Sequence, residues 1–87
     1  ILAKYIPKEI GEFKTLQSII INDCPNLSGK IPNELNLLEN LIEINLRNNS
    51  IIGTIESSIG KLPFLTRLNL RGNKLNGNFP IELYSIQ

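Results

Sequence analysis

The sequence predicts an α/β repeat fold in which short parallel strands and short helical turns alternate along a solenoid. Three observations predict it. Apolar residues recur with a period of 24 residues, an asparagine and a glycine recur with the same period, and each unit contains an alternating xxLxLxx stretch. Residues 41–62, LIEINLRNNSIIGTIESSIGKL, and residues 65–86, LTRLNLRGNKLNGNFPIELYSI, show the repeat directly. A unit this short cannot bury its own apolar side, so the units must stack on one another.

The predicted core consists of seven apolar positions in each unit. Counted from Leu41, these are positions 1, 4, 6, 11, 15, 19 and 22. The first unit is only a tail, with Leu2, Ile6, Ile10 and Phe13 in the last four positions; the later units are Leu16, Ile19, Ile21, Leu27, Ile31, Leu35 and Leu38, then Leu41, Ile44, Leu46, Ile51, Ile55, Ile59 and Leu62, then Leu65, Leu68, Leu70, Leu75, Phe79, Leu83 and Ile86. We therefore divide residues 1–87 into about 3.5 repeats of a single segment (1–15 partial, 16–40, 41–64 and 65–87). Because both ends fall inside a unit, we expect a fragment of a longer solenoid.

The elements of a unit follow from its order of residues. Alternation of apolar and polar residues predicts three parallel strands at 18–22, 43–47 and 67–71, about 4.8 Å apart. The chain then turns at the glycine and returns through a short helical turn on the other side. Asn49 and Asn73 occupy the bend after the strand, where a side-chain amide can bond backbone groups that leave the sheet. Cys24 takes that position in the second unit, and we expect it to be a small buried residue.

The pattern LxxLxLxxNxLxGxIPxxL resembles the plant-specific class of leucine-rich repeats (LRRs) over essentially the whole chain. Departures are local, since Glu56 replaces the proline, Lys4 the glycine and Cys24 the asparagine. The resemblance implies a right-handed horseshoe segment with a concave parallel β-sheet and helical turns on the convex side. It also implies the extracellular or cell-surface region of a receptor-like kinase or receptor-like protein, with a peptide or protein ligand on the concave face and a possible co-receptor.

Strand positions that face away from the core form columns across the units, and these columns are the predicted ligand-binding surface. Arg47 and Arg71 share one column, about 5 Å apart at the backbone, and Arg67 lies about 13 Å along the strand from Arg71. An anionic ligand group could bind between these guanidinium groups. The alternative is that the arginines extend into water and Glu43 pairs with Arg67 across the strands. The full set of predicted site residues is Ile20, Asn22, Glu43, Asn45, Arg47, Arg67, Asn69 and Arg71.

Other classes of function are disfavoured by composition. A net charge of +1 gives no reason to expect nucleic-acid binding, and no apolar run is long enough to span a bilayer. The chain has no histidine and one cysteine, so we expect no metal site, no cofactor and no catalysis. Two sequons, at Asn26 and Asn48, are candidate glycosylation sites.

Two other functions are alternatives to a receptor module. One is a secreted enzyme inhibitor similar to the polygalacturonase-inhibiting proteins, which use the same repeat. The other is an ice-binding surface, which needs a flat, regular array of one residue type. The predicted columns mix acid, base, amide and isoleucine residues and therefore do not provide such an array.

Overall fold

The computed structural model describes residues 4–77, and in this part of the chain the predicted alternation of strands and helical turns is present. The strands are β1 (Ser18–Ile20), β2 (Glu43–Asn45), β3 (Ile52–Gly53), β4 (Arg67–Asn69) and β5 (Lys74–Leu75). The helical turns are 3₁₀ helices, η1 (Lys8–Glu12), η2 (Asn33–Leu37) and η3 (Ser57–Lys61). The fold class predicted from the sequence is thus confirmed.

The main sheet consists of β1, β2 and β4, which pair in parallel in that order. Its register follows the repeat, so that Ser18 lies beside Glu43 and Glu43 beside Arg67. Each strand ends two residues earlier than predicted. Hydrogen bonds between neighbouring units nevertheless continue past the strand ends; for example, the Asn48 amide donates to the Arg71 carbonyl oxygen at 2.8 Å. The sheet therefore holds the predicted columns in line through the following bend.

The 3₁₀ helices return the chain on the opposite side of each unit. The residue before each helix is extended, with φ −68 and ψ 138 at Pro32 and φ −77 and ψ 136 at Glu56. Glu56 thus adopts the backbone conformation that proline favours, which explains why this departure from the repeat does not disturb the fold. Neighbouring helices pack closely at Gly11, where an added Cβ would lie 2.9 Å from the Glu34 carbonyl oxygen.

The core lies between the main sheet and the 3₁₀ helices. Its most completely buried side chains are Leu35, Leu38, Leu41, Ile44, Leu46 and Ile51, and each contributes about 1.5 to 3 kcal/mol relative to an exposed side chain. Leu2, Phe79, Leu83 and Ile86 lie outside the described residues.

The prediction that Phe13 belongs to the core is wrong, because this residue is 63% exposed. The residues at the same repeat position in later units, Leu38 and Leu62, are buried. Each of these leucines follows a described unit, whereas Phe13 belongs to the first described unit. Burial at this position therefore depends on stacking as well as on the repeat.

A second, smaller sheet was not predicted. It pairs β3 with β5 in parallel, and a bridge between Lys30 and Ile52 extends it to the preceding unit. Gly53 of β3 has φ +88, and an added Cβ would lie 2.9 Å from Cγ of Lys30. The repeated glycine is therefore needed both for its backbone conformation and for the side chain of the previous unit that crosses it.

Candidate functional site

The asparagine after each strand fixes the geometry of the main sheet. Asn49 is only 5% exposed, and its Nδ2 donates hydrogen bonds to the carbonyl oxygens of Ile21, at 2.8 Å, and Leu46, at 2.9 Å. Its Oδ1 accepts a hydrogen bond from the Cys24 amide at 2.9 Å. Nδ2 of Asn73 makes the corresponding bonds one unit later, to the carbonyl oxygens of Leu46 and Leu70, while its Oδ1 accepts from the Ile51 amide at 3.1 Å. The prediction that these asparagines satisfy backbone groups leaving the sheet is confirmed.

The prediction for Cys24 is wrong, because its side chain is exposed. The thiol donates a 3.3 Å hydrogen bond to the carbonyl oxygen of Asn22. Cys24 follows β1, which is the edge strand of the described sheet, so its side chain has no described neighbour on its outer side. Asn49 and Asn73, in contrast, each reach back to a preceding unit.

All eight predicted site residues lie on β1, β2 and β4 or within two residues of their C-terminal ends. The register places Ile20, Asn45 and Asn69 in one row. We call the exposed face of the main sheet that carries these side chains the outer face. On it Ile20 is 57% exposed, as expected for an apolar residue at a solvent-facing position.

Among residues 4–77, a depression of about 660 Å³ lies at the β4 end of the main sheet, and its lining includes Ile55, Leu68, Leu70 and Leu75, apolar residues that pack against the core. It is lined by five of the predicted site residues, Glu43, Asn45, Arg67, Asn69 and Arg71. Ile20, Asn22 and Arg47 are not part of its lining. Asn76 also lines it and was missed from the sequence, because its position in the repeat follows the core leucine and was assigned to a turn.

The pairing predicted as the alternative role of Arg67 is present. Its Nη1 lies 3.5 Å from Oε1 of Glu43, with the arginine side chain 69% exposed and the glutamate side chain 20% exposed. An exposed pair of this kind contributes about 0 to 1 kcal/mol. Because Glu43 offsets the charge of Arg67, the positive potential of the outer face arises mainly from Arg47 and Arg71.

The asparagines of the outer face are oriented by the backbone. Oδ1 of Asn69 accepts a hydrogen bond from the Arg71 amide at 3.1 Å, and Oδ1 of Asn45 accepts one from the Arg47 amide at 3.3 Å. Each oxygen accepts a hydrogen bond from the protein, whereas neither side-chain nitrogen donates one within residues 4–77, so both nitrogens can donate to a ligand. The outer face consequently presents amide donors beside guanidinium donors, an arrangement complementary to acceptor-rich or anionic groups.

The two sequon asparagines differ in their surroundings. Asn26 lies in the exposed turn after β1. Asn48 has a positive φ of 62, and its Nδ2 donates a 2.9 Å hydrogen bond to Oδ1 of Asp23. Glycosylation at either residue stays a prediction.

Within residues 4–77 no helix is both long and apolar enough to cross a membrane. The same residues contain no cluster of histidine, cysteine, aspartate and glutamate side chains that could hold a metal ion.

The fold and the repeat together define the class of protein. The sequence profile of the leucine-rich repeat family matches residues 40–62 and 64–86, and the chain belongs to this family. The predicted resemblance to plant LRR proteins is confirmed by the solved structures described next, whereas the predicted boundaries of the individual units stay a prediction.

Three solved structures show which proteins the chain is similar to. A plant ice-binding protein is 35% identical, with a TM-score of 0.88, and the match covers 94% of this chain and 26% of that protein. The plant peptide hormone receptor RGFR1, solved in complex with RGF2, is 41% identical, with a TM-score of 0.86 and coverage of 95% and 14%. The Arabidopsis receptor kinase HAESA, in complex with the peptide hormone IDA and the co-receptor SERK1, is 37% identical, with a TM-score of 0.87 and coverage of 95% and 14%.

The chain therefore spans about a quarter or less of the length of these proteins. Comparison with curated protein sequences gave no match.

Proposed function

We propose that the chain is a recognition module that binds a peptide or protein on the outer face of the main sheet. It would form part of the extracellular or cell-surface ligand-binding region of a plant LRR receptor-like kinase or receptor-like protein. The observation that carries the proposal is the outer face itself, where side chains of differing chemistry lie in register on strands whose ends are bonded by the side chains of Asn49 and Asn73. Similarity to two plant receptors solved with peptide hormones supports it, and one of them also holds a co-receptor.

The donors of the outer face indicate what such a ligand would present. Arg47 and Arg71 supply guanidinium groups, and Asn45 and Asn69 supply amide nitrogens whose partner oxygens are already bonded. A ligand carboxylate placed between the arginines would accept charge-assisted hydrogen bonds and relieve their mutual repulsion. Ile20 offers a separate apolar contact on β1. The module needs no cofactor and carries out no reaction in this proposal.

The enzyme-inhibitor alternative uses the same outer face and differs only in its partner. For ice binding, the similarity to a plant ice-binding protein is the favourable observation. The rows of the outer face argue against it, because Glu43 lies between Ser18 and Arg67, and Asn45 between Ile20 and Asn69. A mixed array of this kind does not repeat one residue type across the sheet.

A displayed library of random peptides with free C-terminal carboxylates tests the proposal. Peptides selected on the wild-type chain are measured against the double variant Arg47→Gln plus Arg71→Gln. The matched control is Lys14→Gln plus Lys61→Gln, which removes the same charge from exposed residues on the side of the 3₁₀ helices. We expect at least about a tenfold loss of affinity in the arginine variant, since hydrogen bonds to charged groups contribute about 1.5 to 3 kcal/mol each.

The control variant is expected to bind as the wild type does. Equal affinities of the selected peptides for the wild type and the arginine variant would contradict the proposal. Amidation of the peptide C-terminus distinguishes binding of the carboxylate by the arginines from binding of the peptide elsewhere on the outer face, because it removes the carboxylate and leaves the rest of the ligand unchanged.

A further inference from the structure

The second sheet carries a row of side chains with a distinct chemistry. Lys30, Ile52 and Lys74 occupy successive rungs, with Ile52 bridged to Lys30 on one side and paired with Lys74 on the other. The first and third strands of three neighbouring strands lie about 9.6 Å apart. The row therefore places one lysine ammonium group on each side of one apolar residue. We call this surface the side face.

The side face is open to solvent. Ile52 is 45% exposed, and both lysines are exposed. Among residues 4–77, neither lysine has a carboxylate within 4.0 Å, since the ion pair found there joins Arg67 to Glu43. Within this part of the chain the two lysines therefore have no carboxylate partner.

A groove of about 770 Å³ runs along this row. Its lining includes all three residues of the row together with the backbone turn at Gly53 and the polar side chains of Thr54, Glu56 and Asn76. The stem of Lys30 lies across Gly53, because its Cγ is 2.9 Å from where a Cβ would stand. This contact limits where the ammonium group can reach and keeps it beside the groove.

We propose that the side face is a second interaction surface, which binds an acidic peptide segment of a partner protein with an apolar residue between its carboxylates. Charge complementarity argues for this occupant, since two lysines that have no carboxylate partner among residues 4–77 flank the groove, and the described lining contains one carboxylate, Glu56. The exposed isoleucine selects an apolar centre over a uniformly charged chain. The three residues of the row lie on the second sheet and not on the outer face, and the inference does not rest on the ligand proposed there.

Titration of the ¹⁵N-labelled chain with the peptide acetyl-Glu-Glu-Leu-Glu-Glu-amide at low salt tests this inference by NMR. Amide shifts are expected at Lys30, Ile52 and Lys74. The double variant Lys30→Gln plus Lys74→Gln should bind at least about threefold more weakly, as for the loss of two exposed ion pairs. Lys14→Gln plus Lys61→Gln removes the same charge elsewhere and should bind as the wild type does.

A variant of the groove carboxylate and an uncharged peptide extend the test. Glu56→Gln is expected to strengthen binding of the acidic peptide, since it removes the carboxylate from the groove, and the glutamine version of the peptide is expected to cause no shifts. Equal weakening in both lysine double variants, or shifts confined to the outer face, would overturn the inference. So would the absence of shifts at millimolar peptide, or tighter binding of a galacturonate hexamer to the same amides, which would make the occupant an acidic polysaccharide.

Discussion

Replacement of Asn49 by alanine tests how the repeat is held together. The side chain makes three hydrogen bonds of 2.8 to 2.9 Å to backbone groups of two neighbouring units, at a position that is almost completely buried. Each such bond contributes about 1 kcal/mol net. Asn49→Ala should therefore lower the free energy of unfolding by about 3 kcal/mol, because water cannot replace the lost partners without entering the core.

Urea denaturation followed by circular dichroism measures this change. The urea concentration at the midpoint should fall, while the slope of the free energy of unfolding against urea concentration stays the same, since the surface exposed on unfolding is unchanged. The melting temperature should fall by more than about 10 °C. The control is Asn40→Ala, which removes one exposed hydrogen bond, from Nδ2 to the Lys14 carbonyl oxygen. A loss at Asn49 no greater than that at Asn40, about 0.5 kcal/mol for a surface residue, would refute the reasoning.

Three further outcomes follow from the structure. Gly53→Ala should lower the free energy of unfolding by about 1 to 2 kcal/mol, because its φ of +88 is strained for alanine; an unchanged urea midpoint would contradict this. Glu43→Gln should change stability by less than about 1 kcal/mol while raising the affinity for anionic peptides, since it removes the carboxylate that pairs with Arg67. Isothermal titration calorimetry measures the affinity, and a lower affinity in the variant would contradict this prediction. Thermal hysteresis measurements should show no depression of the freezing point, because the outer face mixes residue types; a measurable depression would favour ice binding.

The main sheet could be predicted from the sequence because its evidence is periodic. Alternation within a unit predicts the strands and the 24-residue spacing predicts their register, which together place Glu43 beside Arg67. The hydrogen bonds of Asn49 and Asn73 were predictable for the same reason. A side-chain amide that recurs at a bend can donate to the same strand-end carbonyl oxygens in each unit, as Nδ2 of both residues does.

Burial at the first described unit was not predictable in this way. Phe13 fits the repeat but is exposed, and Cys24, which replaces the repeated asparagine in the next unit, is exposed as well. The pattern specifies which way a side chain points and not whether another unit covers it. The second sheet was missed because β3 and β5 are two residues long, too short for any alternation to show. The side face formed by Lys30, Ile52 and Lys74 could be found only from the pairing of these strands.

Photo-crosslinking tests most directly whether recognition occurs on the outer face. A photoreactive phenylalanine analogue is placed either at position 45, on the outer face, or at position 37, where Leu37 is exposed on the side of the 3₁₀ helices. Each chain is then irradiated with a peptide selected on the wild type. We predict crosslinked peptide from position 45 and none above background from position 37. Crosslinks from position 37 alone would contradict the proposal that the outer face is the binding surface.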